Sequence, residues 1–311
     1  MILVAGSANL DFVVRADHIP APGETVLGRD FKTFPGGKGA NQAVACARAG
    51  DVATHMLLAL GQDAFAQPLE DSLHGAGVQL HIIRESQQPT GTAFICLSEA
   101  GENAITVAPG ANALLRPEHL PALGGFSHLL LQLETPIETV AAYARAARAQ
   151  GVAVVLNAAP AQVLPETLLQ HIDILIVNEG ELATVAQHGG SIAQCLERLE
   201  VPSVVVTLGS HGCCARHRGQ WHLQAAFSVT TVDTTGAGDT FCGSLCAALS
   251  QGQDMARALR YASAAGALAC TRLGAQSSIP SAVDVQALLA SQATNNTPSQ
   301  LAALRALCGL P

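Results

Sequence analysis

The stretch "TTGAGDTF", Thr234 to Phe241, sets two glycines and an alanine before a lone aspartate, where a strand-like run gives way to an apolar-periodic one. Glycine lets backbone N–H groups converge where a Cβ would obstruct them, and a following helix points its unpaired N–H groups and positive dipole end the same way. The product is an anion cradle. A carboxylate at its edge, Asp239, is placed to take the proton of a hydroxyl whose oxygen attacks phosphorus, while the cradle holds the charge that builds on the moving phosphoryl group. The same residues also suit an aspartate N-cap after a tight turn, with no chemistry attached. Taken alone, the segment leaves both readings open.

A second candidate is "FPGGKGANQAVACARAG", where Gly36-Gly37 precede Lys38, and Asn41 and Gln42 enter a helix. It is not a Walker loop, which needs four residues between its glycines and a hydroxyl after the lysine. No GxGxxG is present either, so a nicotinamide oxidoreductase lacks its phosphate fingerprint. A diglycine beside Lys and Asn suits recognition of a polyol; an exposed lysine in a flexible turn is the competing account. Asn9 and Asp11 follow the first strand with one residue between them, so both point to one face, as hydroxyl ligands or as a turn. Glu134 ends "HLLLQLE" at the carboxyl edge of a strand, where open α/β sheets place ligands, or it complements the next helix dipole. Asn178 and Glu181 share one side of a helix start, which suits either an ordered Mg²⁺ hydration shell or a capping box. "VVVTLGSHG", Val204 to Gly212, ends a strand in a turn that could line a nucleotide or merely reverse the chain.

These residues need a frame. Apolar runs at Ile2–Ala5, Thr54–Leu60, His128–Leu131, Val152–Leu156, Ile174–Val177 and Val204–Thr207 alternate with helical or turn-rich sequence. The alternation predicts a mostly parallel sheet covered on both faces. Pro136–Gln150 and Asp254–Thr271 carry helical spacing. Asp11–Phe34 and Thr90–Val107 break the pattern with Gly-Glu, Pro-Gly and "EAGEN" turns, as hairpins of a small separate sheet would. Residues 1–10, 35–89 and 109–290 then form the core, 11–34 and 90–108 a β lid, and 291–311 a polar linker with a short helix.

Totals remove whole classes. The 311 residues carry a formal charge of −8 and no basic cluster, so the cationic footprint of nucleic-acid binding is missing. The longest apolar runs are strand-sized, which argues against a membrane span, and "MILVAGSANLDF" has no basic region of a signal peptide. The expected compartment is the cytoplasm. Nine cysteines, without paired spacing or a CxxC, read as reduced and mostly buried.

The motifs "GSANLD", "PGETVLG", "PGGKGANQAV", "LQLETP", "NAAPA", "VNEGE", "VTLGSHG" and "DTTGAGDTF" occur in this order. From Ile2 to about Leu289 the chain thereby resembles the PfkB carbohydrate kinase family. The resemblance implies ATP-dependent phosphorylation of D-ribose at the 5-hydroxyl, on a three-layer α/β/α sandwich with a β-sheet lid. It implies Asp239 as catalytic base, with the backbone of Gly236, Ala237 and Gly238 as anion hole. Asn9, Asp11, Gly37, Lys38, Gly39, Asn41 and Glu134 would hold the sugar. Asn178, the Thr207–Gly212 turn with Gly209 and Ser210, Gly238 and Ser263 would contact ATP, and Glu181 would act through magnesium-bound water. A potassium ion is implied beside Asp233, Thr235, Ala269, Arg272, Gly274 and Ser278, several through carbonyls. Such relatives pair their lids into a homodimer.

Two departures stand out: Ser263 replaces a larger polar residue near the adenine, and the tail after Ser291 runs past the usual end. Ala93, Ile95 and Val107 would form a small apolar wall on the lid, without an aromatic to stack a base, which favours ribose over a nucleoside or another sugar. A sugar-binding regulatory protein that lost turnover is the other reading, disfavoured because Asp239, its loop glycines and the Asn178/Glu181 pair are in place.

Overall fold

The computed structural model describes residues 1–100, 102–293 and 295–310; Gly101 of the "EAGEN" turn, and Thr294 and Pro311 of the tail, lie outside them. The chain begins with β1 (Ile2–Ala5), β2 (Asn9–Ala16), β3 (Arg29–Gly36), α1 (Lys38–Val44), β4 (Thr54–Gly61), α2 (Ala66–Gly75) and β5 (Gln79–Glu85). Then come β6 (Gly91–Ser98), β7 (Asn103–Ala108), β8 (His128–Leu131), α3 (Ile137–Ala149), β9 (Ala153–Asn157), α4 (Glu166–Leu169), β10 (Ile174–Asn178) and α5 (Glu179–Ala186). The last part holds α6 (Ile192–Glu197), β11 (Ser203–Thr207), β12 (Gly212–His217), β13 (Gln220–Ala225), α7 (Ala237–Ser250), α8 (Met255–Ala269), α9 (Ala282–Ser291) and α10 (Pro298–Cys308).

Nine strands form one sheet in the order β13-β12-β11-β10-β9-β8-β1-β4-β5. The strands from β11 to β5 run parallel, and β12 and β13 turn back antiparallel at one edge. Every residue of β1 is buried, as expected of a strand with helices on both faces. Alternate side chains divide the core: Ile2 and Val4 pack with residues of α1, α2, α7, α8 and α9, whereas Leu3 and Ala5 pack with residues of α3, α4, α5, α6 and α10. The architecture is thus a three-layer α/β/α sandwich. Strand and helix limits differ from the sequence expectation by a residue or two because caps set the ends: Pro136 caps α3, and the Asp254 side chain accepts from Arg257 N ahead of α8. Strands β5, β12 and β13 escape the apolar pattern because they are half-exposed or lie at sheet edges.

A second sheet, β3-β2-β6-β7, is built from the two hairpins, joined by the parallel pair β2–β6. Its register lines up Phe34, Asp11, Ala93 and Val107 across the four strands. On the other face Phe12 stacks on Phe94 at 5.4 Å and meets Phe65 edge-on at 5.4 Å. The tail is not a free linker: α10 buries Leu304 and Cys308 in the same core as Cys214 and Ala225.

Candidate active site

The parallel topology delivers polar residues to one edge. Ser7 follows β1, Gln132 and Glu134 follow β8, Asn157 ends β9, Asn178 ends β10 and Thr207 ends β11. These are carboxyl ends of parallel strands, where the chain leaves the sheet and side chains surround a crevice.

Gly236 opens α7 in the left-handed region (φ 73°), and a Cβ there would come within 3.0 Å of Ala275 Cα. Glycine suits both demands. Nothing lies within 4 Å of a Cβ built on Gly238, so the first turn of α7 opens onto free space. The N–H of Ala237 is spent on the Thr234 carbonyl (3.2 Å). Asp239 is not the N-cap: that position belongs to Gly236, which makes no side-chain cap bond. Instead the carboxylate is held from α1. Its Oδ2 accepts from Asn41 Nδ2 (2.9 Å) and its Oδ1 from Gln42 Nε2 (3.0 Å).

Gln42 is itself pinned. Its Nε2 also donates to Asn157 Oδ1 (3.0 Å), and its Oε1 accepts from Gln132 Nε2 (2.7 Å). Gln42 and Gln132 are fully buried and Asn157 nearly so. The chain of amides fixes which end of Gln42 faces Asp239, since the reversed amide would set an oxygen against the carboxylate. Asn41 is buried with its Oδ1 unpaired, an acceptor still free for a donor such as a hydroxyl.

Acidic groups gather around one cation. The Glu134 carboxylate accepts from Ser7 Oγ (2.5 Å) and from Lys38 N (3.1 Å). Burial alone would lower the Lys38 pKa, but Asp239, Glu134 and Glu181 outweigh it and hold the ammonium above its ordinary value. Asp11 is pushed up to about 7, first by burial and then by Glu134 and Asp239. A set of carboxylates around one ammonium, in a half-buried place, suits a neutral polyhydroxyl ligand that both donates and accepts.

The glycines here serve close approach. A Cβ on Gly37 (φ 89°) would come within 2.7 Å of Asn9 N, and one on Gly39 within 2.7 Å of Gly6 C and Ser7 N. Asn9 is buried and its Oδ1 accepts from Asn112 Nδ2 (2.8 Å), so Asn9 and Gly39 brace the site from behind.

On the other side, Asn178 and Glu181 form the capping box: Glu181 N donates to Asn178 Oδ1 and Asn178 N to Glu181 Oε2, both at 2.8 Å. The capping box is therefore formed, and both residues also line the cleft. Burial raises the Glu181 pKa, against the Asn178 N–H and Lys38. Lys38, Asn157, Asn178, Glu181, Thr207, Gly236, Gly238 and Asp239 line a single cleft of about 170 Å³. Gly209, Ser210 and Gly212 are not among its lining residues; they form the turn beyond Thr207. Ser263, on α8, is not among the residues lining it either, and its hydroxyl lies 3.5 Å from Cys213 Sγ.

Beneath the lid a second cavity of about 140 Å³ runs between Asp11, Val13, Phe34, Ile95 and Ile105 and the loops carrying Asp233, Thr235 and Gly274. Asp233 ties those loops together: Oδ2 accepts from Gly274 N (2.9 Å), Oδ1 from Thr235 N (2.9 Å) and Thr235 Oγ1 (2.7 Å). These bonds overcome burial and lower its pKa. The Cys270 carbonyl, just past α8, accepts from Val232 N (2.7 Å) and Asp233 N (3.2 Å). Ala269 ends α8, its carbonyl accepting from Arg272 N (3.4 Å), while the Arg272 side chain is exposed. The Ser278 hydroxyl is committed to the Ala275 carbonyl (2.8 Å).

Residues 1–282 match the model of the pfkB family carbohydrate kinases. The chain belongs to that family. It is 37% identical to the ribokinase of Haemophilus influenzae over 291 residues, covering 90% of this chain and 95% of that one. The crystal structure of Thermotoga maritima ribokinase superposes with a TM-score of 0.86 at 38% identity, covering 93% and 99% of the two chains. The structure of Arabidopsis thaliana ribokinase complexed with ribose and ATP gives a TM-score of 0.84 at 33% identity, covering 93% and 98%.

Within this pfkB-family site, Gln132, Asn157 and Phe34 are residues the sequence pattern did not single out, and Gln42, though named at the start of its helix, had no role assigned. A signal existed for two of them. Gln132 and Asn157 are polar residues directly ending the fully apolar runs of β8 and β9, where a buried amide requires a partner. Among the described residues no cluster of three or more His, Cys, Asp or Glu is set to hold a metal, and no helix is long and apolar enough to cross a membrane.

Proposed function

We propose that the chain transfers the γ-phosphoryl group of ATP to the 5-hydroxyl of D-ribose, giving D-ribose 5-phosphate and ADP. The observation that carries this reading is the Asp239 carboxylate, held by two α1 amides at the open first turn of α7. Asp239 accepts the hydroxyl proton as the oxygen attacks phosphorus, and the N–H groups of Gly236, Ala237 and Gly238 face the charge developing on the phosphoryl oxygens. Ala237 joins that set by releasing the Thr234 carbonyl. Asp11, Lys38, Asn41 and Glu134 hold the sugar hydroxyls, and Asn9, Gly37 and Gly39 keep the surrounding backbone close.

ATP lies across Asn178 and Thr207 toward Gly209, Ser210, Gly212 and Ser263. Glu181 orients water on the Mg²⁺ that accompanies the triphosphate; a single carboxylate suits an ion that keeps most of its waters. That ion supplies positive charge to the phosphates. A potassium ion fits the oxygen-rich loops around Asp233 and Thr235, with carbonyls near Ala269, Arg272, Gly274 and Ser278, and its charge would steady the anion cradle from behind. On the Phe12 face the lid exposes Phe31 and Phe94 at 63% and 53%, apolar surface that pairing of two lids into a homodimer would cover. Nine free thiols suit the reducing, ATP-rich cytoplasm.

The cavity beside Asp11 favours a second reading: Phe34 supplies an aromatic wall where a nucleoside base could stand. A panel with ATP and Mg²⁺, scored by ADP release, separates the two. Ribose should lead deoxyribose, fructose, adenosine, cytidine and pseudouridine; a leading nucleoside overturns the ribose assignment. Replacing sodium by potassium at fixed ionic strength should raise the rate, and an unchanged rate removes the potassium site.

A further inference from the structure

The segment from Gln292 to Cys308 carries none of the motifs above, yet it is bonded to the strand behind the nucleotide turn. β13 is an edge strand, and its last residues, Gln224 and Ala225, lie opposite Cys213 and Gly212. An edge strand leaves backbone groups without a sheet partner. The tail supplies them here. Asn296 Oδ1 accepts from Ala225 N (2.9 Å) and Gln224 Nε2 (3.1 Å), while its Nδ2 donates to Gln224 Oε1 (3.1 Å). Asn295 Nδ2 donates to the Ala225 carbonyl (3.2 Å). From α8, Arg260 donates to Asn295 Oδ1 and to the Gln292 carbonyl (2.9 Å), fastening the segment from its other side.

The same two residues of β13 support the turn. Gly212 has φ 113°, and a Cβ on it would run into the Gln224 carbonyl oxygen and come within 2.7 Å of Ala226 N. Ala226 N donates to the His211 carbonyl (3.3 Å), and the Gly212 carbonyl accepts from Leu208 N (2.8 Å). The turn rests on the end of β13, and the end of β13 rests on Asn296.

We infer that Asn296 is a positioning residue for the nucleotide: through Gln224 and Ala225 it sets the backbone of the 208–212 turn that ATP meets. The inference depends on the proposed ATP role of that turn. Its test is steady-state kinetics, preceded by calorimetric titration of the unaltered protein with ATP. Asn296→Ala removes its two bonds to the Gln224 amide, whose Nε2 keeps the Ala225 carbonyl (2.7 Å), and the acceptor of the Ala225 N–H, and should raise the KM for ATP about tenfold. The KM for ribose and kcat at saturating ATP should stay within about twofold. Asn296→Asp keeps the acceptor for Ala225 N–H but sets an oxygen against Gln224 Oε1, so it should recover part of the ATP affinity, a rescue that general loosening of the tail would not produce. Asn296→Gln, which keeps the amide one methylene farther out, should fall between them and serves if the alanine variant does not fold. An unchanged KM for ATP, or equal rises for ATP and ribose, overturns the inference. Failure of the unaltered protein to bind ATP defeats the functional reading first, and this inference with it.

Discussion

On the side proposed for the acceptor, Asn41, Gln42, Gln132 and Asn157 are buried amides; the first two bond Asp239 and the last two bond Gln42. On the side proposed for the nucleotide, Asn178, Gly209 and Ser210 are exposed, and order comes from a helix cap, strand ends and left-handed glycines. The contrast follows from what each side must recognise. A small polyol with several hydroxyls is distinguished by fixed donors and acceptors, and burial makes a wrongly placed one costly. A triphosphate brings its own charge and is held by backbone N–H groups, which no side-chain substitution deletes. Changes on the first side should therefore strike kcat, and changes on the second the KM for ATP.

The largest effect should come from Asp239→Asn. Turnover should fall by about 10²–10⁴-fold, while ribose binding, followed by calorimetry, persists. Undiminished turnover would remove the base from the mechanism. Gln42→Leu tests whether the buried amides matter beyond packing. It strands the Asn157 Oδ1 and Gln132 Nε2 partners and unpins one carboxylate oxygen of Asp239, so kcat should drop by roughly 10–100-fold. A rise in the KM for ATP alone, with kcat intact, would erase the contrast between the two sides.

Asp11 gives a pH test. Its folded pKa, raised from 3.8 to about 7 by burial, Glu134 and Asp239, lies above the unfolded value. The folded protein therefore holds the proton more tightly, and that contribution to stability is present below about 3.8 and lost as pH rises through about 7. Without ligand, Asp11→Asn should abolish this slope and raise Tm at pH 8 by about 2–4 °C relative to the unaltered chain. Parallel Tm profiles from pH 5 to 8 would show that Asp11 is not the group responsible. The smallest effect belongs to Asn178→Ala, which removes a cap worth about 1 kcal/mol. The KM for ATP should rise about fivefold with kcat little changed, measured on the same assay; an equal loss of kcat would place Asn178 on the acceptor side.

Much of the fold was legible along the chain, because a strand buried on both faces must be apolar throughout: β1, β8 and β10 stand out on that ground alone. The lid was legible because Pro-Gly and Gly-Glu turns interrupt the βα rhythm on either side of it. β5, β12 and β13 were not, since their half-exposed residues mix polar and apolar types. In the site, the loop of Gly236 and Gly238 and the position of Asp239 were readable from residue type. Gln42 was not, because an amide inside a helix looks alike whether it faces water or a carboxylate.

The sequence by itself determined the layered α/β order, the two glycine-bearing turns and the inventory of acids and amides, since periodicity and backbone permissiveness are local properties. Only the tertiary structure decided that Asp239 answers to α1 rather than capping α7, that two buried amides hold it and two more pin one of those, and that the tail bonds to an edge strand behind the 208–212 turn. Those contacts join residues up to 198 positions apart, and a hydrogen bond depends on distance and direction in space, which the order of residues along the chain does not contain.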